Sequence, residues 1–219
     1  MTVAAPRRVI LVLIAWVLVV PIAAAQQKVG VNAAVNPDAT GTAPGAATRQ
    51  LLIGQNVVYH EHIVTTEAGQ TQILFLDESA MTIAPGSDLT IDEFVYNPDT
   101  GKGDLAMSVT SGVLRFVGGK LSKNENAVTM TTPTGTLSIR GGVFVMDLER
   151  ADQRRAGRLD VIFLYGKSLT VTGTDGLSQT ITRPGFGVSI AGPGAPPGPV
   201  PTDSGPLPFV GPGSGRTSR

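Results

Sequence analysis

His60 and His62 stand two positions apart, and in an extended strand residues at that spacing project to one side, where two imidazoles could share a metal ion. With Gly54 upstream and Glu67 downstream, the order is G-x5-H-x-H-x4-E. The chain has only two histidines, so water or a carboxylate would have to complete the ligand set. The same residues, YHEHIVT, also read as an exposed polar edge leading into a strand, and the incomplete ligand set favours that reading. No metal or cofactor is therefore assigned.

Other candidate chemistries are weaker. The G-x5-H-x-H-x4-E spacing is similar to the first metal motif of cupins, which makes a small cupin-like metal-binding β-barrel enzyme the alternative reading. Residues 97–104, NPDTGKGD, offer oxygen ligands but not the alternating acids and distal glutamate of a calcium loop. Asn, Pro, Asp and Gly at that density are also what a β-turn requires. There is no G-x-S-x-G, no cysteine and no phosphate-binding G-x-x-x-x-G-K-[ST]. No catalytic, cofactor-binding or metal residue is assigned, and the chain reads as a non-enzyme. Arg140, beside Gly141 and Gly142, is expected to serve the fold by donating to stray carbonyls at a corner.

The elements that would carry these residues are strands. In residues 105–147 apolar and polar side chains alternate in short runs punctuated by glycine, proline and threonine. Leu137 and Ile139 share one parity and Phe144 has the other, which predicts a bend or bulge at Gly141–Gly142 where the apolar face switches. Abundant glycine and proline with few aromatics favour short strands and tight turns over long helices. The formal charge is zero and no basic patch is visible, which argues against a nucleic-acid partner.

Residues 1–25 read as a secretory signal peptide, with Arg7 and Arg8, an apolar run, and Ala23, Ala24 and Ala25 as the cleavage site. The run is too short to cross a bilayer, so no membrane span is expected after cleavage ahead of Gln26. Without cysteine, an exported chain must rely on its core. Residues 26–50 read as a linker, 51–190 as the β domain and 191–219 as a disordered Pro/Gly-rich tail. Within the domain P-x-x-x-[LV]-x-I occurs at Pro85, Pro133 and Pro184, each after an apolar run holding a glycine, Gly54, Gly112 or Gly166. A repeat of this kind predicts an all-β, β-solenoid-like stack of short strands, with a β-sandwich or small barrel as the alternatives.

The runs FLDESAMTIAPGSDLTIDEFVYNPDTGKG, VTSGVLRFVGGKL and VTMTTPTGTLSIRGGVFVMDL resemble the FecR domain of exported and membrane-anchored bacterial proteins. The resemblance covers about residues 51–171. It departs from the pattern at Glu78, where glycine is usual in a D-G-S turn, and at Gly142, where threonine usually follows Arg-Gly. What it implies is a periplasmic, β-rich interaction or signal-sensing module without catalysis. Signalling members also carry a sigma-factor-binding region, a membrane helix and a further signalling domain, which are not expected here. A passive envelope component is the remaining reading. The expected partner is an unidentified periplasmic or envelope protein, engaged by strand addition at an open edge around residues 55–59 or 177–190, with the tail dispensable. The backbone donors of Val57 and Ile181 are the ones expected on those edges.

Overall fold

The computed structural model describes residues 27–36, 38–151 and 157–200; the expected signal peptide and residues 201–219 of the expected tail lie outside them. Three long strands organise the chain: β9 (Lys102–Val117), β11 (Gly135–Leu148) and β12 (Leu159–Gly173). Each belongs to two sheet layers, one through its first half and the other through its second.

In the first layer the order is β15 (Gly198–Pro199), β14 (Gly187–Ile190), β12, β11, β9, β7 (Ala80–Ile83), β6 (Gln70–Phe75), β1 (Lys28–Asn36) and β4 (Asn56–Val58). The second runs β13 (Ser178–Ile181), β12, β11, β10 (Val128–Thr131), β9, β8 (Asp88–Asn97), β5 (His62–Thr65), β2 (Ala39–Thr42) and β3 (Arg49–Gln50). All these pairings are antiparallel except β9 with β10, which is parallel. The all-β class expected from the alternating pattern is what the chain forms, and its stack of strands is built in two layers. Residues 28–50, expected as a linker, instead supply β1, β2 and β3. Val29, Ala39 and Ala43 there are buried, and backbone pairing to β6 and β5 outweighs the weak local signal.

One apolar core lies between the layers. Alternation does the sorting: in β6 Thr71, Ile73 and Phe75 face in, and in β8 Leu89 and Ile91 do. Phe75 of the first layer stacks on Phe94 of the second at 5.9 Å between ring centroids. Each such ring contributes roughly 1.5–3 kcal/mol by leaving water. The threefold P-x-x-x-[LV]-x-I motif also has a structural meaning. Its apolar pairs, Leu89 with Ile91, Leu137 with Ile139 and Val188 with Ile190, open β8, β11 and β14 and all face the core.

Two of the three long strands reset their buried parity as they pass from one layer to the other, whereas β12 keeps one parity, with Val161 and Phe163 and then Leu169 and Val171 buried. In β9 the buried residues change from Leu105, Met107 and Val109 to Leu114 and Phe116, and Gly112, with φ 109°, sits at the change. In β11 Leu137 and Ile139 give way to Phe144, Met146 and Leu148 across Gly141, φ 53°, as the sequence predicts. Of the repeated glycines, Gly112 and Gly166 lie within long strands, whereas Gly54 lies in the turn before β4.

Two expectations about polar residues resolve differently. Asp77 is fully buried and accepts from Ser79 N at 3.1 Å, Ser79 Oγ at 2.6 Å and Leu121 N at 3.2 Å, tying the β6–β7 turn to the 3-10 turn Leu121–Lys123. Glu78 between them has φ 69°, a left-handed conformation that explains why glycine suits this position. Arg140 does not cap its corner. Its Nη1 lies 3.5 Å from Glu125, its Nε has no partner, and the corner carbonyl of Gly142 is taken by Gly118 N at 2.7 Å.

Gly112 sits at a crossing where a single methyl group should do harm. A Cβ there meets the Ser87 backbone, and the backbone conformation is one that side chains rarely adopt. Gly112→Ala should cost about 1–3 kcal/mol and lower the melting temperature by several degrees. An unchanged melting curve would show that the layer crossing does not need glycine.

Candidate functional site

Burial sorts the His60–Glu67 segment in an order that sequence spacing does not reveal. His60 sits in a turn with φ 58°, its ring 3.9 Å from that of Tyr59, and donates its backbone N–H to Ile91. His62 opens β5 and places Nε2 2.8 Å from Asp88 Oδ1. Glu67 lies beyond β5, against Gly86. The three are therefore held by three different neighbours, and among the described residues no group of three His, Cys, Asp or Glu is gathered for a metal ion. Residues 97–104 close the β8–β9 hairpin, with Asn97 Oδ1 accepting from Asp99 N and Thr100 N.

The residue that matters between the histidines is Glu61. It is fully buried; its carboxylate accepts from Val58 N at 2.9 Å and from Arg49 Nη2 at 2.7 Å. Burial pushes its pKa up, and the Val58 N–H and the Arg49 charge pull the other way. Sequence reasoning passed over Glu61 and Arg49, since neither sits in a recognisable motif and the pairing depends on β2 and β3 lying beside β4.

These two residues close one edge of the sheet. In β4 the N–H of Tyr59 and the carbonyl of Gln55 point to the β1 side, so Val57 points there as well, and the groups of Asn56 and Val58 face outward. The outward groups are largely taken. Val58 N–H meets the Glu61 carboxylate, Val58 C=O accepts from Glu61 N at 3.2 Å, and Asn56 C=O accepts from Arg49 at 3.1 Å.

The other edges differ. Two are only two residues long, β3 and β15, and β15 includes Pro199, which has no donor. The fourth, β13, is open. Gly173 N donates to Leu177 O at 2.9 Å and Gly176 N to Gly173 O at 3.0 Å, closing a three-residue hairpin loop with Gly176 at φ 84°. Counting on from that bonded pair, Gln179 and Ile181 pair inward with Val171 and Leu169, while Ser178 and Thr180 point their N–H and C=O away from β12. Among the described residues nothing pairs with them on that side. Ile181 and Val57 thus both bond inward, against the expectation that their donors lie on the edges.

A polar hollow of about 600 Å³ lies where β9 bends, lined by Thr66, Glu67, Ser111, Asp147 and Arg150 among others. Arg150 donates to Ser111 Oγ at 3.2 Å, so a cation rather than a base stands against the hydroxyl. That arrangement cannot activate a nucleophile. Asp147 has its pKa raised, first by burial and then by the carboxylates of Asp160 and Glu149, with Arg158 opposing. Asp160, its direct partner across β11 and β12, is held by Arg158 Nε at 2.9–3.0 Å.

Residues 61–163, from the capping glutamate to Phe163 in β12, match the family model described as FecR protein. That stretch, just under half of the chain, is similar to the FecR domain. FecR proteins are associated with the cell envelope and act in signalling. The match stops short of both ends of the sheet, leaving β1–β4 and β13–β15 outside it. Among solved structures, the chain is similar to one described as a "putative anti-sigma factor" from Parabacteroides distasonis, with 12% identity, a TM-score of 0.48 and coverage of 62% of this chain and 57% of that one. No curated protein matches. No helix among the described residues is long and apolar enough to cross a membrane.

Two substitutions test this electrostatic picture. Glu61→Ala leaves Val58 N–H and Arg49 without their acceptor and should cost about 1–3 kcal/mol, read as a lower melting temperature; no change would remove Glu61 from the edge. Asp147 binds its proton more tightly folded than unfolded, so the carboxylate subtracts stability as pH rises above 3.8, its ordinary value. Asp147→Asn should therefore stabilise the protein at pH 7, a gain that fades as pH falls toward 3.8. A gain that is the same at both pH values would contradict it.

Proposed function

We propose that this chain is a non-catalytic FecR-like module that is exported to the periplasm and works there as an interaction or signal-sensing partner of another envelope protein. The observation that carries the reading is the asymmetry of the sheet ends. Glu61 and Arg49 occupy the outward groups of β4, whereas Ser178 and Thr180 offer theirs. An edge of unpaired N–H and C=O groups accepts an added strand, whose main chain supplies affinity while side chains select the partner. Signalling by FecR proteins through contact with partners supports the same mode of action.

Export rests on residues 1–25, whose removal leaves Gln26 as the first residue of the mature chain. Binding needs the folded strands and not the end of the tail. Residues 198–199 already pair with β14, so the dispensable part is 201–219.

In-cell crosslinking of tagged protein from the native host tests both parts, with and without residues 201–219. The expected result is an intact mass starting at Gln26 and one crosslinked envelope protein, captured equally by both forms and lost in Thr180→Pro. A retained residue 1–25 segment would contradict export of a cleaved chain. Capture that depends wholly on 201–219 would contradict strand addition, and no captured protein would leave the chain a passive envelope component.

A further inference from the structure

The open strand is complementary to itself. Turned antiparallel about Gln179, the stretch Leu177–Ser178–Gln179–Thr180–Ile181 sets Leu177 against Ile181, Ser178 against Thr180 and Gln179 against its own counterpart. We infer that β13 pairs with β13 of a second copy of this chain, joining the two second layers into one continuous sheet. The inference rests on the strand-addition reading and names the occupant of the edge.

The hydrogen-bond geometry fits that register. Ser178 and Thr180 are the residues whose main-chain groups face outward, and opposite each other they form a hydrogen-bonded pair that exchanges both N–H···O contacts. The two-fold repeats that exchange on the other side. Gln179 faces its counterpart at a non-bonded position, where side chains approach most closely.

Side chains agree with the backbone. Leu177, 58% exposed in the single chain, lies on the same side of the strand as Ile181 and gains an apolar partner in the second copy. On the opposite face Thr170 Oγ1 already meets Thr180 Oγ1 at 3.0 Å and Thr172 Oγ1 meets Ser178 Oγ at 2.8 Å, so pairing extends a neutral hydroxyl ladder. No charge stands on the strand itself to oppose a second copy, in contrast to the charged residues that usually blunt an edge. At the flanks Asp175 and Arg183 are equidistant from Gln179 along the chain, so each end brings an acid of one copy toward a base of the other. An interface of this kind is isologous and closes as a dimer.

Sedimentation or light scattering of the full chain over a concentration series tests the pairing. Wild-type protein should approach twice the monomer mass as concentration rises. Thr180→Pro removes an outward donor without touching a backbone bond to β12, giving up there only the exposed hydroxyl contact with Thr170, and should remain monomeric with little change in melting temperature. Gln179→Glu and Gln179→Lys, at an exposed position, should each remain monomeric, because like charges meet at the two-fold. Mixed in equal amounts they should dimerise again. Wild-type protein that is monomeric throughout would overturn the dimer, as would a dimer untouched by Thr180→Pro or a charge-swapped mixture that stays monomeric. The in-cell crosslink is read independently. A Thr180-dependent capture of a different protein, with no dimer, would sink the second-copy inference and leave strand addition standing.

Discussion

A strand that serves two sheet layers has to turn a corner without losing its hydrogen bonds, and every other feature of this fold depends on how β9, β11 and β12 do so. Glycine makes the turn at Gly112 and Gly166, where Ser87 and the Gly141 carbonyl come too close for a side chain. Because the three strands are continuous, the two layers cannot separate, and the apolar face of each is forced toward the other. A chain with no cysteine obtains its rigidity this way. Polar groups buried in the β6–β7 turn are satisfied locally, as Asp77 and Ser79 show.

A long sheet built in this manner leaves four ends to protect. At β4 the solution is electrostatic: a buried carboxylate stands in for the next strand, and its desolvation is offset by an arginine and the Val58 N–H. At β3 and β15 the edge is simply short. The stretch that matches the FecR family ends before β13, so the open edge belongs to the part of the chain outside the match. The family stretch supplies the corners of β9 and β11, Gly166 of β12 lies just beyond it, and the added strands decide which edge faces out.

Alternation in residues 105–147 was enough to read strands, and the parity change between Ile139 and Phe144 was enough to place the corner. Those signals are local. The role of Arg140 was misread because the Gly142 carbonyl finds a backbone donor from Gly118, twenty-four positions earlier, which no local pattern announces. Residues 28–50 hid their strands for the same reason: short runs of Ala, Thr and Gly carry little propensity, and β6 and β5 impose the extended form. The histidines drew attention because imidazole is conspicuous in a sequence, while burial, which singles out Glu61, is not. Which way a backbone donor points on an edge strand follows from hairpin closure at Gly173 and Leu177, so the inward direction of Ile181 could be read only from the ladder.

The central claim is that β13 is open in the single chain and β4 is not. Residue-resolved amide hydrogen exchange on the full chain, first dilute and then concentrated, tests it most directly. The Val58 amide should be protected in both conditions by the Glu61 carboxylate, while Ser178 and Thr180 should exchange rapidly when dilute and become protected together on concentration. Ser178 and Thr180 amides already protected in the dilute chain would mean that the edge is covered by the protein itself, and the account would be wrong.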